Sequence, residues 1–157
     1  MEVIGEIMME SEESLRKRLG SLIGLEGIHP VKSSGDVEMF ASDPIKFVPK
    51  GWGYEKWIAN CPEYCGKLLF IAKGRKCSFH YHELKDEVFY VQKGAIEMYY
   101  SFQNHLETAD MKILVEGDKM HIPTGMRHQF VALKDTELFE FSTTHFEEDS
   151  YRLEKGD

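Results

Sequence analysis

Downstream of Pro49 the hydrophobic positions fall in short runs rather than at helical spacing. VFYVQ (88–92), AIEMYYSF (95–102), MKILV (111–115) and ELFEFST (137–143) are rich in β-branched and aromatic residues, and glycine, proline or polar turns separate them. Two further short strands are expected at Asp118 to Ile122 and at Met126 to Val131, joined by the turn Pro123-Thr124-Gly125. Strands at such short, regular intervals predict an all-β barrel or a double-sheet jelly roll. The beginning of the chain is patterned differently: Leu15, Leu19, Leu22 and Ile23 recur at helical spacing, Ser11 is placed to cap, and Glu12 and Glu13 suit the positive helix N-terminus. The expected organisation is therefore a helix and arm over residues 1–44 and a β-barrel with a charged tail over 45–157. The helix is expected to pack on the outside of the barrel or on a second subunit.

Composition narrows the class without naming a chemistry. At 157 residues the chain is long enough for one domain with an adequate core. A net charge of −8 argues against nucleic acid or an anionic membrane surface as the partner. No apolar run approaches the roughly 20 residues of a membrane span, and the acidic start MEVIGEIMMESEE lacks the positive region of a signal peptide, so the expected location is the cytoplasm. Cys61, Cys65 and Cys77 form neither a C-x-x-C pair nor an even framework and read as reduced thiols, with a Cys61/Cys65 zinc site as the less favoured alternative.

The chemistry is concentrated in GRKCSFHYHELKDEVFYVQKG, residues 74–94. Side chains alternate faces along a strand, so His80 and His82, one residue apart, point the same way. Glu87 opens the next strand, and the segment between must turn. Two imidazoles and a carboxylate converging on one point suit a divalent transition metal and leave coordination positions open. His128, at the start of the strand after Pro123-Thr124-Gly125, supplies a fourth ligand. Four such groups buried around one point without a metal would leave acceptors unsatisfied and a carboxylate desolvated. This ligand set accommodates Mn, Fe, Co, Ni or Zn and does not choose among them.

These residues resemble the two motifs of the cupin superfamily. The pattern G-x5-H-x-H-x3,4-E-x6-G is matched by Gly74, His80, His82, Glu87 and Gly94, and G-x5-P-x-G-x2-H-x3-N by Gly117, Pro123, Gly125 and His128, with Ala132 in place of the final Asn. The resemblance implies a cupin double-stranded β-helix, a jelly-roll barrel whose ligands point into its lumen, here with an N-terminal helical extension. It also implies a metal bound by His80, His82, Glu87 and His128. Lys85 stands within the ligand spacing, giving H-x-H-x-x-K-x-E, which looks like the form in D-lyxose isomerase and related cupin sugar isomerases; Glu140-Phe141-Ser142 matches their downstream E-x-S. KGWGYE (50–55) is similar in part to a P-W-G-x-x-E stretch of type II phosphomannose isomerases, with Lys50-Gly51 where those tend to have proline.

The resemblance implies a metal-dependent aldose–ketose isomerase acting on a sugar or sugar phosphate through an enediol. Glu140 would be the proton-transferring base, and Lys85 would stabilise charge or shuttle a hydroxyl proton. The bland readings are an exposed turn lysine for Lys85, and for Glu140 a carboxylate paired with Arg127 or Arg152. The alternatives for the whole protein are a non-haem Fe(II) dioxygenase and a non-catalytic, metal-dependent binding protein for a sugar or other small ligand. Trp52, Tyr54 and Trp57 read as packing or, alternatively, as a sugar-stacking surface. His29 and His105 read as structural. A homodimer is expected, because the apolar surface of the helix and of residues 40–48 requires cover.

Overall fold

The structure is a computed structural model and describes residues 44–157; the expected N-terminal helix, most of the arm and His29 lie outside the described residues. Within them the chain forms β1 (Lys46–Lys50), β2 (Gly53–Asn60), β3 (Cys65–Ile71), β4 (Phe79–Tyr81), β5 (Glu87–Lys93), β6 (Ala95–Ser101), β7 (Asp110–Val115), β8 (Lys119–Ile122), β9 (Arg127–Ala132), β10 (Thr136–Ser142) and β11 (Tyr151–Glu154). Two single-turn 3-10 helices, Leu106–Thr108 and Glu147–Asp149, interrupt them. A six-stranded sheet runs β1-β2-β3-β10-β5-β8, a five-stranded sheet runs β11-β4-β9-β6-β7, and every pairing is antiparallel. This is the expected jelly roll. Pro49 falls in β1, an edge strand, where proline is tolerated in a sheet.

Alternation decides which residues enter the lumen. In β3 Cys65, Lys67, Leu69 and Ile71 are buried, while Gly66, Leu68 and Phe70 between them are only partly covered. The registers align Leu138 with Leu69 and Val91, then Glu140 with Lys67 and Phe89, then Ser142 with Cys65 and Glu87. The lumen therefore changes character along its axis. One end is apolar, filled by Ile71, Val91, Ile96, Met98, Leu114 and Leu138, each fully buried and each contributing about 1.5–3 kcal/mol through burial. The other end is lined by charged side chains and opens to solvent.

The turns use the glycines the sequence singled out. Gly74, Gly94, Gly117 and Gly125 all have positive φ. Gly125, in the Pro123-Thr124-Gly125 turn, has φ +81° and donates its N–H to the carbonyl of His82 at 2.7 Å, so this turn braces the ligand-bearing loop directly. The tail, expected to be only a charged terminus, instead supplies β11, which pairs with β4 and places Arg152 opposite His80.

Candidate metal centre

The two sheets bring different chemistry to the open end of the lumen. His80 on β4 and His128 on β9 are cross-strand partners in the five-stranded sheet. Glu87 on β5 and Glu140 on β10 come from the six-stranded sheet. Strand β4 ends at Tyr81, so His82 stands one residue beyond it, yet its ring lies 5.1 Å from that of His80. One ring nitrogen each from His80, His82 and His128 lie within 4.8 Å of one another, a cluster that could hold a metal ion.

Each imidazole is oriented through its other nitrogen. Nδ1 of His80 donates to the carbonyl of Ser78 at 2.8 Å, Nδ1 of His82 to that of Asp149 at 2.5 Å, and Nδ1 of His128 to that of Met126 at 3.2 Å. A carbonyl can only accept, so all three rings carry their proton on Nδ1 and present an Nε2 lone pair. Burial keeps them neutral: it lowers His82 and His128 and pushes His80 down to about 3, with the neighbouring imidazoles adding to the effect.

Glu87 completes the set in a divided way. Its Oε1 accepts from the Lys85 ammonium at 2.5 Å. Its Oε2 lies 3.3 Å from His128 Nε2 and 3.7 Å from His82 Nε2, is shielded from solvent and has no hydrogen-bond partner. An ionised oxygen left without a partner in a buried site is costly. A divalent cation among these three lone-pair donors would satisfy it, so the residues present suit the metal that the sequence implies.

Lys85 is buried, not an exposed turn residue. It bridges Glu87 and Glu140. Burial alone would lower its pKa, but the two carboxylates outweigh burial and raise it, so it is held as an ammonium ion. The same pairing works on the carboxylates: burial raises Glu140 while Lys85 and Lys67 lower it below the ordinary range, the net result. Removing one member of such a buried group costs about 3–5 kcal/mol, because the others are left uncompensated.

Glu140 pairs with neither Arg127 nor Arg152. Lys85, Lys67 at 3.4 Å and the Ser142 hydroxyl at 3.4 Å all meet its Oε1. Its Oε2 has no hydrogen-bond partner among the described residues. Arg127 is used elsewhere, on Asn104, the Gly125 carbonyl and the face of Tyr81. All six expected site residues, His80, His82, Lys85, Glu87, His128 and Glu140, line one cavity of about 310 Å³.

The cavity also contains Lys67 and His145, which no sequence motif singles out, and Lys50 and Glu55 from the KGWGYE stretch, to which the resemblance gives no role in the site. Lys67 is buried and links Glu140 to Glu55, and Lys50 closes the chain of charges at 3.2 Å from Glu55. The available signal is a lysine at an inward position of the otherwise apolar strand CGKLLFI. His145 lines the cavity with an unpartnered, shielded Nδ1, its backbone held on both sides by the Asn60 side chain. No sequence pattern marks it, nor Asp149, which anchors the loop before Glu87.

Trp52, Tyr54 and Trp57 do not form one stacking surface. Trp52 is buried edge-on to Phe130, Tyr54 stacks on Phe70 across the outer face of the sheet, and Trp57 donates to Glu55 between Lys46 and Lys67. Gly53, at φ +150°, separates Trp52 from the alternation of β2. Among the described residues Cys61, Cys65 and Cys77 are free thiols, and none belongs to the metal-capable cluster. Burial pushes Cys77 up to about 12, so it stays protonated. His105 is exposed beside Glu107, away from the cavity.

Residues 67–144 match the family model described as Cupin domain. No curated protein sequence matches the chain. Among solved structures, the capsular polysaccharide assembling protein CapF from Staphylococcus aureus is similar with a TM-score of 0.63 at 20% identity, over 74% of this chain and 34% of CapF. KdgF from Halomonas sp. is similar with a TM-score of 0.53 at 23% identity, over 60% of this chain and 81% of KdgF. Oxalate decarboxylase from Bacillus subtilis is similar with a TM-score of 0.60 at 16% identity, over 73% of this chain and 31% of that enzyme. The chain thus spans about a third of the length of CapF and of oxalate decarboxylase, and likeness at these identities carries the fold alone. With the jelly roll in place, the motif histidines gathered in its lumen and the domain model matched across both motifs, the chain belongs to the cupin superfamily.

Proposed function

We propose that this cupin is a metal-dependent enzyme that moves a proton between adjacent carbons of an open-chain sugar or sugar phosphate, an aldose–ketose isomerase working by the enediol route. The observation that carries the reading is the burial of the Lys85 ammonium between Glu87 and Glu140, which ties a metal-binding carboxylate to a second carboxylate with an oxygen to spare. The metal would be held by His80, His82, Glu87 and His128. When bound, a divalent transition metal supplies Lewis acidity toward two adjacent oxygens of the substrate.

The protein's own residues supply the rest. Glu140 is the base: its Oε1 is occupied by Lys85, Lys67 and Ser142, which leaves Oε2 to take a proton from one carbon and return it to the next, while the hydroxyl proton passes between the two adjacent substrate oxygens so that aldose and ketose balance. Pairing with two ammonium groups keeps Glu140 ionised, the form that can accept a proton, though it lowers its basicity. Lys85, unable to take up a proton, fixes the spacing of the two carboxylates and offsets negative charge developing between them. Trp52, Phe89 and Phe130 wall the inner side of the cavity with apolar surface and exclude water from the proton path.

The test is incubation of metal-loaded protein with a panel of aldoses, ketoses and their phosphates in heavy water. Deuterium should enter C1 or C2 of the productive sugar, and Glu140→Gln should lower kcat roughly a hundredfold or more, the usual share of a general base, with little change in substrate affinity. Absence of exchange with every sugar would overturn the isomerase reading and favour the sugar-binding alternative. Substrate-dependent oxygen uptake by the iron-loaded protein would favour the dioxygenase.

A further inference from the structure

The loop Glu83-Leu84-Lys85 joins two of the proposed metal ligands and carries the lysine that bridges the carboxylates. Its tip, Leu84, is 69% exposed, so apolar packing does not hold it in place. The loop's backbone donors instead converge on one buried side chain from 64 to 66 residues away. Asp149 Oδ1 accepts from the amide of Glu83 at 2.8 Å and from that of Leu84 at 3.2 Å; Oδ2 accepts from Leu84 at 3.2 Å and from Lys85 at 3.1 Å. The backbone carbonyl of the same residue receives the Nδ1 proton of His82. The loop's carbonyls are held from the other side, His82 by the Gly125 amide and Lys85 by the Thr124 hydroxyl.

From this we infer that Asp149 is a positioning residue for the metal centre, setting the tautomer and direction of His82 and the path by which Lys85 reaches Glu87 and Glu140. The inference rests on the metal reading above. Asp149 lies 4% exposed in the Glu147–Asp149 turn just before β11, so the segment after the second cupin motif becomes part of the site. A carboxylate is suited to this position because it offers acceptors to several amides at once and brings charge-assisted strength to each. An amide of the same shape fails at one oxygen, where its own N–H would confront a backbone N–H.

The experiment uses the full chain with Zn(II) and Co(II), competed against a chelator, for wild type, Asp149→Asn and the neighbouring control Glu148→Gln. Asp149→Asn should bind both ions about 10–100-fold more weakly, the usual effect of losing a residue that orients a ligand. Glu148→Gln should bind as wild type does. A purely structural role would lower the melting temperature of Asp149→Asn and leave its affinity, measured well below that temperature, unchanged. Amide hydrogen exchange on the metal-free wild type gives a readout that needs no variant to fold: Glu83, Leu84 and Lys85 should be protected despite their exposed tip. Wild-type protein that binds neither ion contradicts the metal reading itself. Equal affinity in wild type and Asp149→Asn, or unprotected exchange at all three amides, overturns the role of Asp149 alone.

Discussion

At the scale of single residues the site depends on ionisation states that burial and pairing impose together. His80 and His145 are both pushed down to about 3 from an ordinary 6.5, burial being the main cause, with His128 adding to it at His80 and Lys67 at His145. Between those two values the unfolded chain binds protons that the folded chain refuses, so stability must fall as pH drops from 6.5 toward 3. Lys85 has the opposite sign. Its raised value means that its contribution is complete below 10.5 and is lost only as pH climbs through the higher folded value. Thermal melts of metal-free protein should show a plateau near neutrality and a decline below about pH 6.5, the unperturbed value for histidine. His145→Gln should flatten the acid limb, because the mutant loses one of the groups that must charge. A melting temperature that holds or rises between pH 6.5 and 4 would contradict the assignment of neutral imidazoles at His80 and His145.

At the scale of elements, turns carry as much of the site as strands do. Gly94, between β5 and β6, has φ +96°, and a Cβ there would stand 2.5 Å from Thr136 Oγ1 and 2.6 Å from the Asp135 carbonyl, where β10 begins. Gly94→Ala combines a left-handed backbone with a collision against a strand that carries Glu140, and should cost about 1–3 kcal/mol, read as a lowered denaturation midpoint at unchanged m-value. A midpoint equal to wild type would show that the turn relaxes freely. Period-two alternation makes β5, β6 and β10 legible in the amino-acid sequence, because each buries one face. The same rule, applied to Lys67 in CGKLLFI, places that lysine in the lumen. It also puts Trp57, three residues on, on the face opposite Tyr54, and it fails only for Trp52, which the positive-φ Gly53 separates from the parity of Tyr54. Asp149 is illegible for a different reason: its partners are backbone amides, which carry no mark in a sequence.

At the scale of the whole molecule, the two sheets divide the work. The five-stranded sheet presents His80 and His128, the six-stranded sheet presents Glu87, Glu140 and Lys67, and Lys85 on the loop between β4 and β5 joins the two carboxylates. The apolar half of the lumen packs against this arrangement, with Leu69, Leu138 and Val91 in the row directly beneath Lys67 and Glu140 on the same strands. Sequence spacing alone is enough to bring the four proposed ligands to one cavity, since H-x-H, the glutamate and the later histidine keep fixed offsets from turn glycines. The charge chain from Lys50 through Glu55 and Lys67 to Glu140 is not legible, because it depends on which strands become neighbours. What holds the account together is a metal at the meeting point of His80, His82, Glu87 and His128. Elemental analysis of the purified protein, beside His82→Ala and Glu87→Ala, tests this most directly. The account predicts about one divalent transition metal per chain in the wild type and loss of it in both variants, because an open site has no ligand to spare. Full occupancy in His82→Ala would contradict it.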